Sequence, residues 1–461
     1  MFSISVSDAA KICRGKVYGL TESDPEIKRV VIDSRNVKKG DMFVAFKGEN
    51  SDGHDYIISA LKKGAVCALA EHLPPVMTIN RDDETIFPGP VIICDNVQTS
   101  IELLAAEFRK RIDIPVIGIT GSVGKTSAKE MISAVLSQRF KVRKTIGNLN
   151  NTIGLPMSVC SIDKNDECAV MEMGINHFGE MRRLGAIAAP NIAVFTVIGH
   201  AHLEFLGDLS GVLKAKTEML ESMEDEALVI INGDDPYLMS FDCPQWRLTF
   251  GKGKSNDVRA TSVKFSDGKT CLNIHYQDRV IKVEIPAFGE HMVYAALAGA
   301  AVGFAMGLSD DEIVKGIKSY EVVGRRFSVE NTGYIKLIDD CYNANPDSMK
   351  SSINSLMGLK GRHVCIFGDM LELGREAPAM HDDIGKYAKE TGVEVLIGVG
   401  KLGQLIAEAF GGIKYDSINA LIEDLPWLIN EDDIVLVKAS RGSHLEAVSE
   451  SLKGLKLSKE N

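Results

Sequence analysis

The stretch from residue 118 to residue 127 reads GITGSVGKTS, a glycine-rich segment that ends in Gly-Lys-Thr-Ser. Loops that bind nucleotide phosphates generally have Gly, four residues, then Gly-Lys-Ser/Thr. The first glycine of that pattern would fall at Ile119, whereas the glycines here occupy positions 118 and 121. The spacing therefore leaves two possibilities, a phosphate loop of a particular kind or a chance turn.

The surroundings of this stretch favour a phosphate loop. The apolar run 115–119 predicts a buried strand that ends at the loop, and residues 128–136 have a helical pattern. Backbone N–H groups in a loop between a strand and a helix can converge on phosphate oxygens, and glycines permit the left-handed torsions that this requires. The lysine would neutralise the terminal phosphates, and the threonine hydroxyl would bind Mg²⁺. The predicted nucleotide contacts are Gly121, Ser122, Val123, Gly124, Lys125, Thr126 and Ser127.

Polar side chains follow two further apolar runs. Glu172 ends the run 168–172, and His200 and His202 follow the run 193–199. Ligands of open parallel sheets collect beyond the carboxyl ends of the strands. A carboxylate and an imidazole beside a bound triphosphate could therefore coordinate a divalent metal ion. Taken alone, Glu172 is more typical of a helix cap or a surface carboxylate, and a single histidine is more typical of a packed or exposed residue.

An asparagine-rich segment, GNLNNTIG at 147–154, places Asn148, Asn150 and Asn151 among glycines. Clustered amides suit the binding of a polar, oxygen-rich ligand, although a structural turn uses the same residue types. Both interpretations stay open at this stage.

Lys216 lies in the helical stretch 210–220, close to Lys214. The physics of the sequence alone predicts that such a helix lysine is solvated, since lysines are almost never fully buried without a partner. The residues alone therefore lead to an ATP- or GTP-dependent enzyme that uses Mg²⁺ and no further, because phosphate loops serve kinases, motors, switches and ligases alike.

The elements that must position these residues alternate between strand and helix. The length of 461 residues suggests about three domains. Uninterrupted apolar runs are typical of parallel strands that are buried on both faces. Apolar runs occur at 115–119, 168–172, 191–196 and 227–231, and a second α/β unit repeats the alternation with strands predicted at 334–339, 363–367, 394–399 and 433–437. We therefore predict three α/β domains that are joined near 97–100 and 315–325.

Composition excludes several classes of protein. With 45% apolar and 25% charged residues, the chain is typical of a folded globular protein. The formal net charge of −11 argues against a broad nucleic-acid-binding surface. The nine cysteines form no C-x-x-C pair, the N-terminus does not resemble a signal peptide, and no apolar run could span a bilayer. We expect a reduced, cytoplasmic protein without a membrane span.

The T-G-x-x-G-K-T spacing of the loop resembles that of the Mur ligases, which build the peptide stem of bacterial peptidoglycan. The similarity extends over nearly the whole chain. It is carried by DSRNVKKGDMFVAFKG (33–48), GNLNNTIGLP (147–156), AHLEFLGDLSGVLKAKTEML (201–220), DDCYNANPDSM (339–349), FGDMLELG (367–374) and VKASRGS (437–443). The last three are typical of one branch, and the D-N-P-R signature of the branch that adds the third stem residue is absent.

This resemblance implies a three-domain organisation. It implies an N-terminal UDP-substrate domain over 1–98, a central P-loop ATPase domain with a mostly parallel sheet over 99–318, and a C-terminal Rossmann-like domain over 319–461. The nucleotide is then ATP, with Lys125 at its phosphates. Further contacts to ATP are implied for Arg326 and Asn343, and contacts to the UDP-muramoyl substrate for Ser34, Arg35, Lys47, Asn148, Asn150 and Asn151.

The resemblance also implies a metal site. Thr126, Glu172 and His202 would position Mg²⁺. Several members of the family carry a carbamylated lysine fourteen residues after the metal histidine, and that position here is Lys216. This implication reverses the expectation of a solvated lysine, and it makes Lys216 a further catalytic residue and metal ligand.

The implied activity joins D-alanyl-D-alanine to UDP-N-acetylmuramoyl-tripeptide through an acyl phosphate, with ATP and Mg²⁺, in a monomeric enzyme. The alternatives are a Mur-type ligase of another step, a folylpolyglutamate synthase-like amide ligase, and a nucleotide switch that forms no amide bond. One segment departs from the family pattern H-N-x-x-N, because residues 291–295 read His-Met-Val-Tyr-Ala. We therefore predict no adenine contact in that segment.

Overall fold

The computed structural model describes residues 3–20, 22–48, 51–74, 88–266 and 268–455. Within these residues the chain forms three successive units, each of which contains a sheet flanked by helices. The predicted fold class, α/β with mostly parallel sheets, is confirmed. The same residues include no helix that is long and apolar enough to cross a membrane.

The N-terminal unit packs α2 and α3 on opposite faces of a sheet. Its elements are β1 Ile4–Ser5, α1 Val6–Ile12, β2 Lys16–Tyr18, β3 Glu26–Ile27, β4 Arg29–Val31, β5 Asp41–Val44, α2 Ile57–Lys63, β6 Cys67–Ala70, β7 Val91–Ile93 and α3 Val97–Lys110. The strand order is β2-β7-β6-β5-β4, and β2 is antiparallel to its neighbour. Met42 and Val44 pack in the core that contains α3, whereas Phe43 packs in the core that contains α2.

The central unit is built on a larger sheet. Its elements are β8 Val116–Thr120, α4 Lys125–Leu136, β9 Val142–Lys144, α5 Gly154–Cys160, β10 Cys168–Glu172, α6 Glu180–Ala188, β11 Ile192–Phe195, α7 Leu203–Leu206, α8 Leu209–Thr217, β12 Leu228–Asn232, α9 Pro236–Ser240, β13 Trp246–Gly251, β14 Val258–Ser266, β15 Lys269–Tyr276, β16 Arg279–Ile285, α10 Glu290–Ala305 and α11 Asp310–Lys318. The order is β16-β15-β14-β13-β12-β11-β8-β10-β9. Strands β8 to β14 are parallel to one another. Strands β14, β15 and β16 pair antiparallel and extend the sheet at one edge.

The central position of β8 explains its uninterrupted apolar sequence. Ile117 and Ile119 pack in the core shared with α4, α10 and α11. Val116 packs in the core shared with α5, α6 and α8 on the other face. Because both faces are covered, apolar side chains are favoured along this strand. The strand therefore delivers the phosphate loop from a fixed point in the protein interior.

The C-terminal unit has a second mostly parallel sheet. Its elements are β17 Ser328–Asn331, β18 Lys336–Asp339, α12 Pro346–Met357, β19 His363–Phe367, α13 Ala377–Thr391, β20 Val395–Val399, α14 Gly403–Phe410, β21 Ile413–Tyr415, α15 Ile418–Leu428, β22 Ile434–Lys438 and α16 Glu446–Lys453. The order is β17-β18-β22-β19-β20-β21, and β17 is antiparallel to β18. The predicted strands at 334–339, 363–367, 394–399 and 433–437 correspond to β18, β19, β20 and β22.

Two features differ from, or lie outside, the sequence predictions. The antiparallel strands β14 to β16 were not predicted, because their residues alternate between buried and exposed rather than forming apolar runs. The domain boundaries at 98 and 318 stay predictions. In the structure, α3 begins at Val97 and packs Ile101 and Leu104 into the N-terminal core, and α11 ends at Lys318.

Helix α11 lies very close to α4, the helix that follows the phosphate loop. A Cβ atom added at Gly316 would lie 2.4 Å from the Cα of Val135 and 2.9 Å from the carbonyl oxygen of Ala134. Real Cβ atoms essentially never approach backbone atoms so closely. Gly316 therefore sets the distance between the two helices, although glycine is an unfavourable helix residue.

The substitution Gly316→Ala tests this packing. Helix propensity alone would stabilise the variant by about 0.5–1 kcal/mol. The overlap with the backbone of α4 should outweigh that gain, since overpacking typically costs about 1–3 kcal/mol. We expect urea denaturation to show a lower free energy of unfolding. Lys315→Ala, at the exposed neighbouring position, is the matched control and should change stability by less than about 0.5 kcal/mol. Equal or greater stability of Gly316→Ala would contradict the prediction.

Candidate active site

A cavity of about 560 Å³ lies between the central unit and the C-terminal unit. From the central unit it receives the phosphate loop, the asparagine-rich segment and the ends of β10 and the loop after β11. From the C-terminal unit it receives the segments that follow β18, β19 and β22. Of the predicted site residues, those that line it are Ser122, Val123, Gly124, Lys125, Thr126, Ser127, Asn148, Asn150, Asn151, Glu172, His202, Arg326 and Asn343.

The phosphate loop has the backbone that its glycines predict. Gly124 has φ +82° and Gly121 has φ +149°, and a Cβ atom at Gly121 would lie only 2.0 Å from Oγ1 of Thr196. Thr196 in turn donates a hydrogen bond to the carbonyl of Val123 at 2.6 Å. The Nζ atom of Lys125 donates to the carbonyl of Gly121 at 2.7 Å, so the amine lies across its own loop. Burial lowers the pKa of Lys125 below its ordinary value.

Glu172 is the centre of the polar contacts on the central side. Its side chain is 2% exposed, and its carboxylate accepts hydrogen bonds from Oγ1 of Thr126 at 2.9 and 3.0 Å and from Nδ2 of Asn150 at 2.7 Å. Nζ of Lys129 lies 3.7 Å away. A carboxylate and a hydroxyl that face the same space provide the oxygen ligands that Mg²⁺ prefers. Thr126 and Glu172, the oxygen ligands predicted from the sequence, therefore fit Mg²⁺.

The two histidines after β11 have different surroundings. His202 lines the cavity and is bonded through Nδ1 to the carboxylate of Glu372 at 2.5 Å. Burial lowers the pKa of His202, which favours the neutral imidazole that metal ligation requires. Nδ1 of His200 is paired instead with Asp347 at 3.1 Å, and His200 is not among the cavity residues. The structure thus brings His202, and not His200, to the site.

Lys216 corrects an expectation drawn from sequence physics. Its side chain is completely buried at 0% exposure, whereas a solvated helix lysine was expected from the residues alone. Within the described part of the chain, its Nζ atom has no hydrogen-bond partner. Burial, and after it the charge of Lys125, holds the pKa of Lys216 well below its ordinary value. A fully buried amine without a hydrogen-bond partner favours the neutral form.

The C-terminal side of the cavity is held by a buried ion pair that sequence reasoning missed. Lys438, at the end of β22, is 2% exposed and donates to Asp340 at 2.7 Å and to the carbonyl of Asn343 at 2.9 Å. Asp340 also accepts from the backbone N–H of Phe327, next to Arg326, at 3.0 Å. The pair therefore ties Arg326 and Asn343 to the ends of β18 and β22. Asp340 and Lys438 lie in the stretches 339–349 and 437–443. These stretches were identified in the sequence by motif similarity, and not by a pair of opposite charges.

Arg326 is positioned by an aromatic ring. Its guanidinium carbon lies 3.5 Å from the centroid of Tyr342. A planar cation on a ring face is held in place while its N–H groups stay available for an anionic ligand. Tyr342 was not predicted as a site residue.

The three asparagines of this segment differ in their surroundings. Asn150 bonds Glu172, as described above, and its carbonyl accepts from the N–H of Gly174 at 2.8 Å. Oδ1 of Asn151 accepts from the N–H groups of Ile153 and Gly154, where α5 begins. The turn interpretation therefore holds for that side-chain oxygen. Asn148 is exposed at the edge of the cavity.

The predicted uridine contacts lie in the N-terminal unit and do not line this cavity. The guanidinium of Arg35 is paired with Asp33 at 2.8 Å, and its side chain is 86% exposed. The carbonyl of Ser34 accepts from Lys63 at 3.2 Å, and Lys47 forms a backbone bridge with residue 52. Their role in substrate binding stays a prediction.

The segment that departs from the family pattern contributes apolar packing. Met292 and Ala295, at the positions where the family pattern has asparagines, are 2% and 4% exposed and belong to the core around α10. His291 alone of the three lines the cavity, and burial lowers its pKa to about 4. Neutral imidazole is therefore the form present at physiological pH.

Asp52, His54 and His72 form a further cluster of possible metal ligands in the described residues. The hydrogen bonds of His54 exclude that use. The N–H of Glu71 donates to Nε2 of His54 at 3.0 Å, so Nδ1 must carry the ring proton, which it donates to Asp52 at 2.6 Å. A neutral imidazole with both nitrogens occupied cannot also bind a metal ion.

Comparison with known proteins agrees with the geometry of the cavity. Three family models match successive parts of the chain: the Mur ligase family catalytic domain over residues 26–114, the Mur ligase middle domain over 119–303, and the Mur ligase glutamate ligase domain over 325–441. The residues matched by the second and third models form the two sides of the cavity.

Relatives match over the full length. The Bacillus subtilis UDP-N-acetylmuramoyl-tripeptide--D-alanyl-D-alanine ligase is 33% identical, with 98% of this chain and 99% of that protein covered. A crystal structure of MurF from Acinetobacter baumannii superposes with a TM-score of 0.88 at 28% identity, covering 99% and 100% of the two chains. MurF from Thermotoga maritima, in complex with ADP, gives 0.81 at 29% identity and covers 93% and 97%. The chain therefore belongs to the Mur ligase family.

Proposed function

We propose that this chain joins D-alanyl-D-alanine to UDP-N-acetylmuramoyl-tripeptide and converts ATP to ADP and phosphate. The observation that carries the proposal is the composition of the cavity, in a chain that matches ligases of this name from end to end. The phosphate loop and the carboxylate of Glu172 lie on one side of the cavity. Residues of the three C-terminal segments that are typical of this branch, 339–349, 367–374 and 437–443, lie on the other side. A nucleotide switch would need no second unit at the cavity.

The chemistry follows from the poor reactivity of a carboxylate, whose leaving group would be oxide. The substrate carboxylate attacks the γ-phosphorus of ATP, the bond from phosphorus to the bridging oxygen breaks, and ADP leaves. The resulting acyl phosphate is attacked by the free amine of D-alanyl-D-alanine. Phosphate then leaves with the former carboxylate oxygen, the amine loses a proton, and the new peptide bond remains.

The residues of this chain act mainly through charge and position. Lys125 and the N–H groups of the loop offset the charge of the transferred phosphoryl group. The amine of Lys125 bonds the carbonyl of Gly121, so contact with the phosphates requires it to turn away from that carbonyl. Arg326, on the ring of Tyr342, supplies a second cation from the opposite side of the cavity.

Thr126, Glu172 and His202 are the residues that would hold Mg²⁺. The ion would neutralise charge on the β- and γ-phosphate oxygens. Asn150, which is not itself a metal ligand in this proposal, orients Glu172 through the hydrogen bond to its carboxylate. Arg326 and Asn343 contact ATP in this proposal, and the UDP-muramoyl substrate contacts Ser34, Arg35, Lys47, Asn148, Asn150 and Asn151.

The three units correspond in this proposal to domains 1–98, 99–318 and 319–461. Water would destroy the acyl phosphate, so the C-terminal domain must cover the site during the reaction. Its contacts to the loop after β11, made by Asp347 and Glu372, support this proposal. Because ATP and a UDP-linked precursor are its substrates, we expect the enzyme to act in the cytoplasm, and as a monomer.

The reaction can be tested with purified protein, ATP, Mg²⁺ and candidate muramoyl peptides. Mass spectrometry should detect UDP-N-acetylmuramoyl-pentapeptide with D-alanyl-D-alanine as the amine, and no product with single amino acids. Lys125→Ala is the matched negative control and should be at least about 100-fold slower. A product formed only with a single amino acid would assign another step of the family, and glutamate addition to a folate would assign a folylpolyglutamate synthase-like activity.

We also propose that Lys216 is carbamylated. A neutral amine can attack CO₂, forming an N–C bond and releasing a proton, and the buried, unpartnered Nζ of Lys216 meets this requirement. Lys216→Ala should lose most activity, with partial recovery in acetate. Lys216→Arg keeps a charge but cannot be carbamylated, so it should also be poor. The control is Lys214→Ala, on the same helix, and full activity of Lys216→Arg at low Mg²⁺ would refute the role.

The buried amine also predicts a pH-dependent stability. An unfolded lysine keeps its proton up to about pH 10.4, whereas folded Lys216 loses its proton at lower pH. Between the pKa of folded Lys216 and the pKa of the unfolded lysine, the unfolded state binds more protons than the folded state. The free energy of unfolding therefore rises with pH over this range. In CO₂-free buffer, Lys216→Met should therefore be more stable than the wild type at pH 7, and the difference should narrow toward pH 10. Urea denaturation measures this, with Lys214→Met as control; a difference that is constant with pH would contradict it.

A further inference from the structure

Two histidines of the central unit are each bonded to a carboxylate of the C-terminal unit. His200 is paired with Asp347, in the first turn of α12, and Asp347 also accepts from the backbone N–H of His200 at 2.6 Å. His202 is paired with Glu372, in the segment after β19. Both bonds join the loop 199–202 to the same neighbouring unit. The two pairs nevertheless differ, because only His202 lines the cavity beside Glu172.

The bond between His202 and Glu372 fixes which ring nitrogen is free. Nδ1 of His202 lies 2.5 Å from the carboxylate of Glu372, and a glutamate carboxylate accepts hydrogen bonds. Nδ1 of His202 is therefore the donor, and Nε2 is the ring nitrogen that this bond leaves available for a cation. This is the arrangement by which a carboxylate orients a histidine that binds a metal ion through its other nitrogen.

The backbone around this pair is strained on both sides. His202 has φ +56° and Glu372 has φ +63°, which non-glycine residues rarely adopt. A second hydrogen bond, from the N–H of Glu204 to the carbonyl of Glu372 at 3.2 Å, joins the same two segments. Such strain persists where surrounding contacts over-determine a conformation, and it clusters at functional sites. The contact thus involves the backbone of both segments and is not a chance meeting of two side chains.

We infer that Glu372 is a positioning residue that aligns Nε2 of His202 with the divalent cation at Thr126 and Glu172. This inference rests on the proposed metal site. It makes the cation affinity of the central unit depend on a side chain of the C-terminal unit. Binding of the cation then favours the arrangement in which the C-terminal unit contacts the loop, and that arrangement favours binding of the cation by the same factor.

The inference can be tested by binding of Mn²⁺, measured by electron paramagnetic resonance in the full-length enzyme with ADP. This measurement needs no turnover and no muramoyl substrate, so it is independent of whether the proposed reaction is right. Removal of a carboxylate that orients a metal-binding histidine typically lowers metal affinity by about 10–100-fold. We expect a loss of this size in Glu372→Ala. Glu372→Gln retains an oxygen acceptor at the same reach and should keep most of the affinity.

The matched control is Asp347→Ala, which removes the other pair between the same loop and the same unit. It should change the affinity for Mn²⁺ by less than about twofold, because His200 does not face the cation. Equal losses in Asp347→Ala and Glu372→Ala would overturn the inference, since affinity would then follow contact between the units alone. An unchanged affinity in Glu372→Ala, or a loss in Glu372→Gln as large as in Glu372→Ala, would overturn it as well.

Discussion

The arrangement of the candidate site depends on one buried carboxylate, that of Glu172. A carboxylate that is 2% exposed must be compensated by hydrogen bonds or by charge, because the loss of hydration is otherwise prohibitive. Thr126 and Asn150 supply the hydrogen bonds, and Lys129 supplies a nearby positive charge. Each of these residues belongs to a different part of the central unit or to a different turn of α4. The need to satisfy one anion therefore holds the phosphate loop, the asparagine-rich segment and the end of β10 in a fixed relation.

On the opposite side of the cavity, buried charge is compensated by an ion pair between Asp340 and Lys438. Asp340 and Lys438 end adjacent parallel strands, and both are buried. Removal of either partner would leave an unpaired buried charge, which is far more costly than the pair itself is stabilising. Because these two residues also bond Phe327 and the carbonyl of Asn343, the ion pair defines where the linker and the segment after β18 lie. Arg326 and Asn343, the proposed nucleotide contacts on this side, are thus positioned by a largely buried ion pair.

The parts of this structure that could be predicted from sequence are those that depend on neighbours in the chain. The apolar runs identified β8, β10 and β22 because burial on both faces leaves a continuous signal. The phosphate loop was recognisable because a strand, two glycines and a helix start lie within about twenty residues. The fold class was predicted on this basis and the family from motif resemblance, and both predictions are confirmed.

The parts that could not be predicted depend on partners far apart in sequence. Nothing near Lys216 indicates that its helix turns that residue inward, since Lys214 has the same type and is exposed. The bond from His202 to Glu372 joins residues that are 170 positions apart. The strands β14 to β16 were missed because an alternating pattern with one solvated face is weak in a short window. Family resemblance indicated a role for Lys216, but it did not indicate Glu372, Lys438 or Tyr342.

The strand order of the central sheet has a consequence for synthesis of the chain on the ribosome. Strand β8, at 116–120, lies between β10 and β11, which follow it in sequence and end at residues 172 and 195. At roughly 5–20 residues per second, β8 must wait several seconds for its second neighbour. During that interval an apolar strand has an unpaired edge, which is the state most prone to aggregation. A strand that is fully buried in the finished enzyme is therefore also one that a nascent chain has to protect.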